Sequence, residues 1–539
     1  MHSRRHKVTR RKALKTGAAG LALTGAVGIG PKFLTPRAHA AEYAPGMTGG
    51  PTGFPGAERY QYNESMAAGR AIEGIKKLKA EGKAPEKLVC AMLDGAIGHF
   101  TRPFPEGAPT ALEVWEKETG IPIEMIGIPL DDLYTKTMQD VTTQAAQYDI
   151  YCIFVNHFGD LADSGGLVNL DDYVEKYKPD WNDPERGVSD SLFAQLYKYN
   201  GSVVGMAFDG DFWTWYYRKD LFADATHQKA FSDKHGYALA TPNTWDQVDD
   251  VASYFASTGI DGHTNFMGKV WGLGNWVSRY VGRAKPNLYL FDLDGNPTID
   301  SPEGIENTEQ HLQFGQYSGK GASYTWSWFE AYGSMAAGTS AMAGVNTNLA
   351  KFLDREEDQS EEWLTTTIGG KLGAFMPPGH QHGDDLVRRT VFYGNASTGI
   401  STQSMYPEAA YLFNQWASST TIYPWLSANP AGYMDPFQLS NFQDPLIIEQ
   451  YHAYAMEIIQ KTVNHAAPMM SLPGAQAMHQ SLDENIQAAF AGTITAKEAM
   501  ANTAKRWRRT MKKKGMDRMI EAIVEDRKAW PTIIDKMPT

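Results

Sequence analysis

From Lys87 onward the chain alternates short apolar runs with amphipathic stretches, and this alternation restricts the fold more than any other feature. LVCAMLD (88–94) and IPIEMIGIP (121–129) read as buried strands, and ALEVWEKETG (111–120) between them reads as a helix closed by Gly120. Leu133, Met138, Val141 and Ala145 then line one side of a helix that leads into YDIYCIF (148–154). Strands separated by helices of this length predict a parallel sheet with helices on its faces. Ligands of such sheets bind beyond the carboxyl ends of the strands, which draws attention to the loops starting at Asp94 and Asn156.

The amino terminus is a different kind of segment. Thr9-Arg10-Arg11-Lys12-Ala13-Leu14-Lys15 precedes an apolar, glycine-rich run from Gly17 to Ile29, and Ala38-His39-Ala40 offers a small-x-small cleavage site. The run falls below the roughly 20 apolar residues that a bilayer core requires. It therefore predicts a removable twin-arginine export leader over 1–40 and a mature protein in the periplasm. The leader holds nine of the chain's 50 basic residues and no acidic ones, so the remainder carries 41 basic against 62 acidic residues, a formal charge of −21. Such a surface repels nucleic acid and anionic lipid. About 500 mature residues exceed what one core organises, so two lobes are expected.

Residues 41–60 are rich in Gly and Pro and read as an extended lead-in, followed by a helix that Asn63 can cap and that Gly82 and Pro85 end. The stretch VVGMAFDGDFWTWYYRKDLF (203–222) begins as one strand, passes through Asp209-Gly210-Asp211 and resumes as an aromatic strand. It reads as a strand leaving one lobe for the other, with the acidic turn at the hinge. TPNTWDQVDDVASYF (241–255) is a helix capped by Thr244. Cys90 and Cys152 each lie in a strand-like run and read as small buried hydrophobes, with a bond between them left open. His380 and His382, among Pro and Gly, are expected in an exposed loop, and the carboxylates of Asp292, Asp294 and Asp300 in a plain turn.

TGIPIEMIGIP, QYDIYCI, DSGGLVNLDDYV, the hinge stretch, TPNTWDQV, DGNPTIDSPEGIE, TSAMAGVNTN, GKLGAFMPPG and NASTGISTQSMYPEAAYLFNQWASS occur in one order, with a helical region after residue 442. In that order the chain resembles, over roughly 85–510, the extracellular solute-binding proteins of ABC importers, in the carbohydrate-binding group that includes maltose-binding protein. Its length and texture are more similar to the large polyol-importing members. The resemblance implies an α/β fold of two lobes, each a mainly parallel sheet flanked by helices, joined by crossing hinge strands near 207–211, 372–377 and 426. The lobes would comprise 86–208 plus 373–425 and 209–372 plus 426–539, after a lead-in and appended helix over 41–85. It implies capture of a sugar or polyol without a cofactor, delivery to membrane permease subunits, and a monomer.

A hydroxyl-bearing solute needs flat aromatic faces for its C–H groups and Asp, Asn, Gln or Arg for its hydroxyls. Asp209 and Asp211 are candidate hydroxyl acceptors, with Trp213 or Trp215 as stacking faces; WGLGNW offers Trp271, Asn275 and Trp276, and SYTWSWF offers Trp326 and Trp328. Asn346, Asn395 and His99 complete the candidates with Asp94 and Asn156. In PFQLSNFQDP the larger members commonly carry an arginine where Gln438 stands, a weaker neutral donor that would change ligand preference. An exported enzyme is the competing class, but Gly-x-Ser-x-Gly, His-Glu-x-x-His and Cys-x-x-Cys motifs are all missing from the chain.

Overall fold

The computed structural model describes residues 43–189, 196–283, 290–356, 364–391, 396–528 and 530–538. The leader expected over 1–40 and the candidate Asn395 lie outside these residues.

The first lobe is built on β1 (Leu88–Leu93), β2 (Ile123–Ile128), β3 (Ile150–Phe154), β4 (Met206–Ala207) and β8 (Ala396–Ile400), in the order β2-β1-β3-β8-β4. The strands β1, β2 and β3 are parallel, with Leu88 opposite Ile123 and Cys90 opposite Ile150, as the helical crossovers between them require. The strand β8 returns antiparallel, pairing Ala396 with Phe154 and Ser397 with Ala207.

Helices cover this sheet. Helix α1 (Ala67–Ala80) lies on α8 (Pro407–Ser418) through Gly74, which sits against Leu412. Helix α2 (Ala111–Thr119) starts in a Thr110–Glu113 capping box and ends on Gly120 at φ +66°, a conformation glycine takes without strain. Its buried Trp115 meets Phe413 and Trp416 of α8 at 5.1 and 5.5 Å. Helices α3 (Leu130–Thr143) and α4 (Val155–Asp163) flank β3. Cys90 and Cys152 are buried free thiols on neighbouring strands, and burial pushes the Cys152 thiol up to about 12.

The second lobe holds β5 (Thr214–Arg218), β6 (Met342–Val345) and β7 (Leu372–Phe375), in the order β6-β5-β7. These strands are antiparallel, with Thr214 opposite Val345 and Trp215 opposite Phe375, so the parallel arrangement expected of both lobes is found only in the first. Helix α5 (Trp245–Thr258) has the expected Thr244 cap, extended to a box by Gln247, and buries Trp245, Val248, Val251 and Phe255. Helices α6 (Leu273–Tyr280), α7 (Pro302–Phe314), α9 (Ala475–Phe490), α10 (Ala496–Lys514) and α11 (Met516–Arg527) complete the lobe. Trp507 of α10 stacks on Phe291 at 5.1 Å, and Gln487 of α9 donates to the Met267 carbonyl, which fastens the carboxyl-terminal helices to this half.

The chain leaves the first sheet at Ala207 and enters the second at Thr214. The return expected near 372–377 falls later, because β7 still pairs with β5 and the chain rejoins the first sheet only at Ala396. A hairpin of Gly379–His382 against Asp385–Arg388 fills part of the interval. His380 and His382 stand on its first strand, half-buried, with Nε2 atoms against the Arg279 and Gly282 carbonyls at 2.8 and 3.2 Å, in place of the exposed loop expected for them. The Asp292 carboxylate closes a turn on the Asp294 and Asn296 N–H groups, and Asp300 meets Arg508.

Candidate functional site

Two polar assemblies join the lobes. The first lies where the chain crosses. Asp209, Asp211 and Asp435 are buried and bring one carboxylate oxygen each within 4.8 Å of one another. Their oxygens are engaged: Asp209 accepts the Asp435 N–H at 2.9 Å, and Asp211 accepts the Thr347 N–H at 3.3 Å. Asp435 accepts Tyr451 at 2.5 Å and Asn348 at 2.9 Å. Burial first, and then the charge of Asp435, holds Asp209 and Asp211 well above the usual carboxylate range, so Asp211 keeps a proton to share with Asp435.

Lys351 is the buried counter-charge. Its Nζ donates to the carbonyls of Ser427, Gly432 and Met434 at 3.1–3.4 Å, and burial lowers it to about 8. His99 braces the same 426–434 loop. Its Nε2 accepts the Met434 N–H and its Nδ1 donates to the Leu426 carbonyl, both at 2.7 Å, which fixes a neutral tautomer. Burial, then the Lys351 charge, holds that ring well below the ordinary histidine range. Gly432 lies against the ring, where a Cβ would overlap it.

The second assembly is the contact between α4 of the first lobe and the start of α9 in the second. Asn156 donates to Gln476, and Gly474 N–H donates to Asp160 Oδ1 at 2.8 Å. Asp160 Oδ2 also accepts the Tyr134 hydroxyl at 3.0 Å. Lys514 of α10 reaches Asp160 at 3.3 Å and Asp163 at 3.1 Å, and Arg518 of α11 closes a further pair with Asp163. Gly159 faces the backbone of Ser471 and Leu472 so closely that a Cβ would overlap it. The lobes are shut on one another along this line.

The sequence candidates divide between these places and the interior. Asp209, Asp211 and His99 belong to the crossing, with their polar atoms committed within the chain. Gln438, fully buried there, donates from Nε2 to the Ser418 carbonyl at 2.7 Å and leaves Oε1 without a partner among the described residues. Asn156 stands at the carboxyl end of β3 in the interlobe contact. Asp94 is exposed at the carboxyl end of β1 and accepts the Gly95 N–H. Trp213 is 1% exposed and directly precedes β5; Asn346 directly follows β6, opposite it, with Oδ1 unpartnered among the described residues.

Phe266 takes the edge of Trp213 at 4.9 Å and of Trp271 at 5.6 Å, and Trp271 is half-buried. Val270 before it has φ +73°, a left-handed conformation costly for a β-branched residue, stabilised by Asp483 accepting its N–H at 2.8 Å. Trp276 is interior, bonded to Thr308 at 2.9 Å and stacked on Tyr280. Trp326 is half-buried over Gly319. Trp215 packs on Trp245 and Phe375 in the second core, and Trp328 stacks on Tyr332 at 4.1 Å.

Sequence reasoning missed His157, Asp160, Gln476 and His479. A signal existed: Gln476, His479 and Asp483 recur at helical spacing beside the apolar Met478, Leu482 and Ile486, a polar stripe on a helix the fold buries.

Two α/β lobes joined by crossing segments and closed on each other define a two-lobed binding protein. The chain belongs to the bacterial extracellular solute-binding proteins, the family whose sequence model matches residues 98–422. It is 20% identical over 439 residues to a probable amino-acid ABC transporter periplasmic-binding protein of Sinorhizobium fredii, covering 76% of this chain and 87% of that protein. A ribitol complex of an ABC transporter solute-binding protein from Agrobacterium radiobacter superposes with a TM-score of 0.64 at 18% identity, over 78% of this chain and 98% of that one. A D-mannitol-bound counterpart from Agrobacterium vitis gives 0.62 at 19%, over 80% and 99%. Maltose-bound MalE3 of T. maritima gives 0.61 at 18%, over 78% and 99%. At these identities the superpositions establish the fold.

Proposed function

We propose that the protein is the periplasmic component of an ABC importer, capturing a neutral polyol or small sugar between its lobes and passing it unaltered to permease subunits. One observation carries the solute class. At the α4–α9 contact Asp160 and Asp163 are paired with Lys514 and Arg518, so neither cation is left for an anionic solute, and the amides of Asn156 and Gln476 and the imidazole of His479 stand beside them. A neutral hydroxyl compound suits such a lining. An amino acid, the class named for the Sinorhizobium fredii relative, carries a carboxylate that needs an unpaired cation, and Lys514 and Arg518 are both engaged.

The solute-facing set in this reading is Asn156 from the first lobe and Trp271, Asn346 and the start of α9 from the second. Asp209, Asp211 and His99 act instead as the hinge that the solute closes. Export through the twin-arginine leader, action as a monomer and absence of catalysis belong to the same proposal. A thermal-shift panel of ribitol, D-mannitol, maltose and the common amino acids tests it, since a ligand at 100 times its dissociation constant stabilises by about 2.7 kcal/mol. A shift with a polyol or sugar and none with amino acids is the expected result. A shift with amino acids alone overturns the solute class.

A further inference from the structure

His479 is 5% exposed, and neither of its ring nitrogens has a partner among the described residues. Its neighbours on the same side of α9 are engaged: Gln476 with Asn156 across the lobes, and Asp483 with the Val270 N–H. On the opposing helix His157 is also buried, its ring against Tyr134 at 5.0 Å and Phe154 at 5.6 Å. The Phe154 N–H donates to His157 Nδ1 at 3.3 Å, which puts the proton of the neutral ring on Nε2. A buried imidazole with two idle nitrogens is costly unless a partner arrives from outside the chain. A neutral imidazole offers one acceptor and one donor, the complement of a hydroxyl group.

We propose that His479, with His157 on the facing helix, binds hydroxyl groups of the solute held between α4 and α9, and does so only as a neutral ring, so that acid releases the solute. This deepens the polyol or sugar reading above and rests on it. Burial holds both imidazoles well below their ordinary range, to about 3, and a charge on His479 depresses His157 further. With an ordinary value near 6.5 in an open form, each ring then opposes closure by roughly thirtyfold between pH 7.5 and pH 5.

Other charged and titratable groups at this contact are Asp160 and Asp163 of α4, Tyr134 of α3, Tyr199, Asp483 of α9, Lys514 of α10, and Arg518 and Asp526 of α11. The acids and bases of the Asp160, Asp163, Lys514 and Arg518 set face each other. Burial raises Asp483 to about 6 and Asp526 to about 7, so these two gain protons over the same range with the opposite sign, relieving a buried charge. A variant that removes only the imidazole separates the two effects.

The test is the affinity of ribitol, D-mannitol or maltose, whichever shifts the wild type, measured by calorimetry at pH 7.5 and pH 5. The comparison is made for wild type, His479→Phe and His479→Gln. We expect His479→Phe to lose about tenfold or more at pH 7.5. His479→Gln should keep part of the affinity and show a flatter decline toward pH 5 than wild type, and it carries the test if the Phe variant fails to fold. Wild-type affinity in both variants, or an unchanged pH slope in His479→Gln, overturns the inference. If none of the three compounds shifts the wild type, the solute class itself fails before any variant is made.

Discussion

Gly159→Ala separates packing between the lobes from packing within one. Gly159 lies inside α4, where alanine is the better helix former by about 0.5–1 kcal/mol, so the substitution stabilises the first lobe taken alone. Across the interface the added Cβ meets the carbonyl carbon of Leu472 and the carbonyl oxygen of Ser471, backbone atoms that cannot rotate away. Overpacking of this kind costs about 1–3 kcal/mol, here entirely in the closed form. Closure should weaken by roughly 5- to 150-fold, and apparent solute affinity falls by the same factor. Calorimetric titration with a polyol that binds the wild type reads the affinity, and small-angle scattering with saturating polyol reads the closed fraction. A variant with unchanged affinity and a lower Tm would refute the reasoning, because it would put Ser471 and Leu472 in the same rigid half as α4.

Asp160→Asn removes the charged acceptor of the Gly474 N–H and one of the two carboxylates on Lys514, so affinity should fall by about 2 kcal/mol, or roughly 30-fold, in the same titration. Trp213→Ala, which a purely ligand-stacking ring would tolerate in the solute-free protein, should instead destabilise the fold by about 3–5 kcal/mol in urea unfolding, because the indole is interior and packed on Phe266. The neutral His99 ring contributes stability that is complete above about pH 6.5 and lost as pH falls, since burial depresses its folded value. His99→Gln should therefore be less stable at pH 7.5 but lose less than wild type between pH 7 and pH 5, read by urea midpoints.

The first lobe was legible because its signals are local. LVCAMLD, IPIEMIGIP and YDIYCIF became β1, β2 and β3, and Thr110, Thr244 and Gly120 mark helix ends as their chemistry dictates. The second sheet was not, because three strands separated by more than a hundred and by some thirty residues carry no local cue to their direction. The site divided along the same line. The place of Asn156 at the end of β3 follows from strand-end logic, whereas the polar stripe Gln476, His479 and Asp483 reads as an ordinary solvated helix face until the first lobe is laid against it. Asp209 and Asp211 read from the strand alone as exposed acids at a hinge. The groups that engage them in the fold, Asp435, Thr347 and Lys351, are more than a hundred residues away.

Co-crystallisation with a polyol or sugar that stabilises the protein tests the central claim most directly, with mass spectrometry on the dissolved crystals. Unmodified ligand should lie between α4 and α9, within hydrogen-bond reach of Asn156 and beside Trp271. Ligand bound on the outer face around Tyr43, Tyr62 and Glu118, where a hollow of about 240 Å³ exists, or ligand recovered as a reaction product, would contradict it.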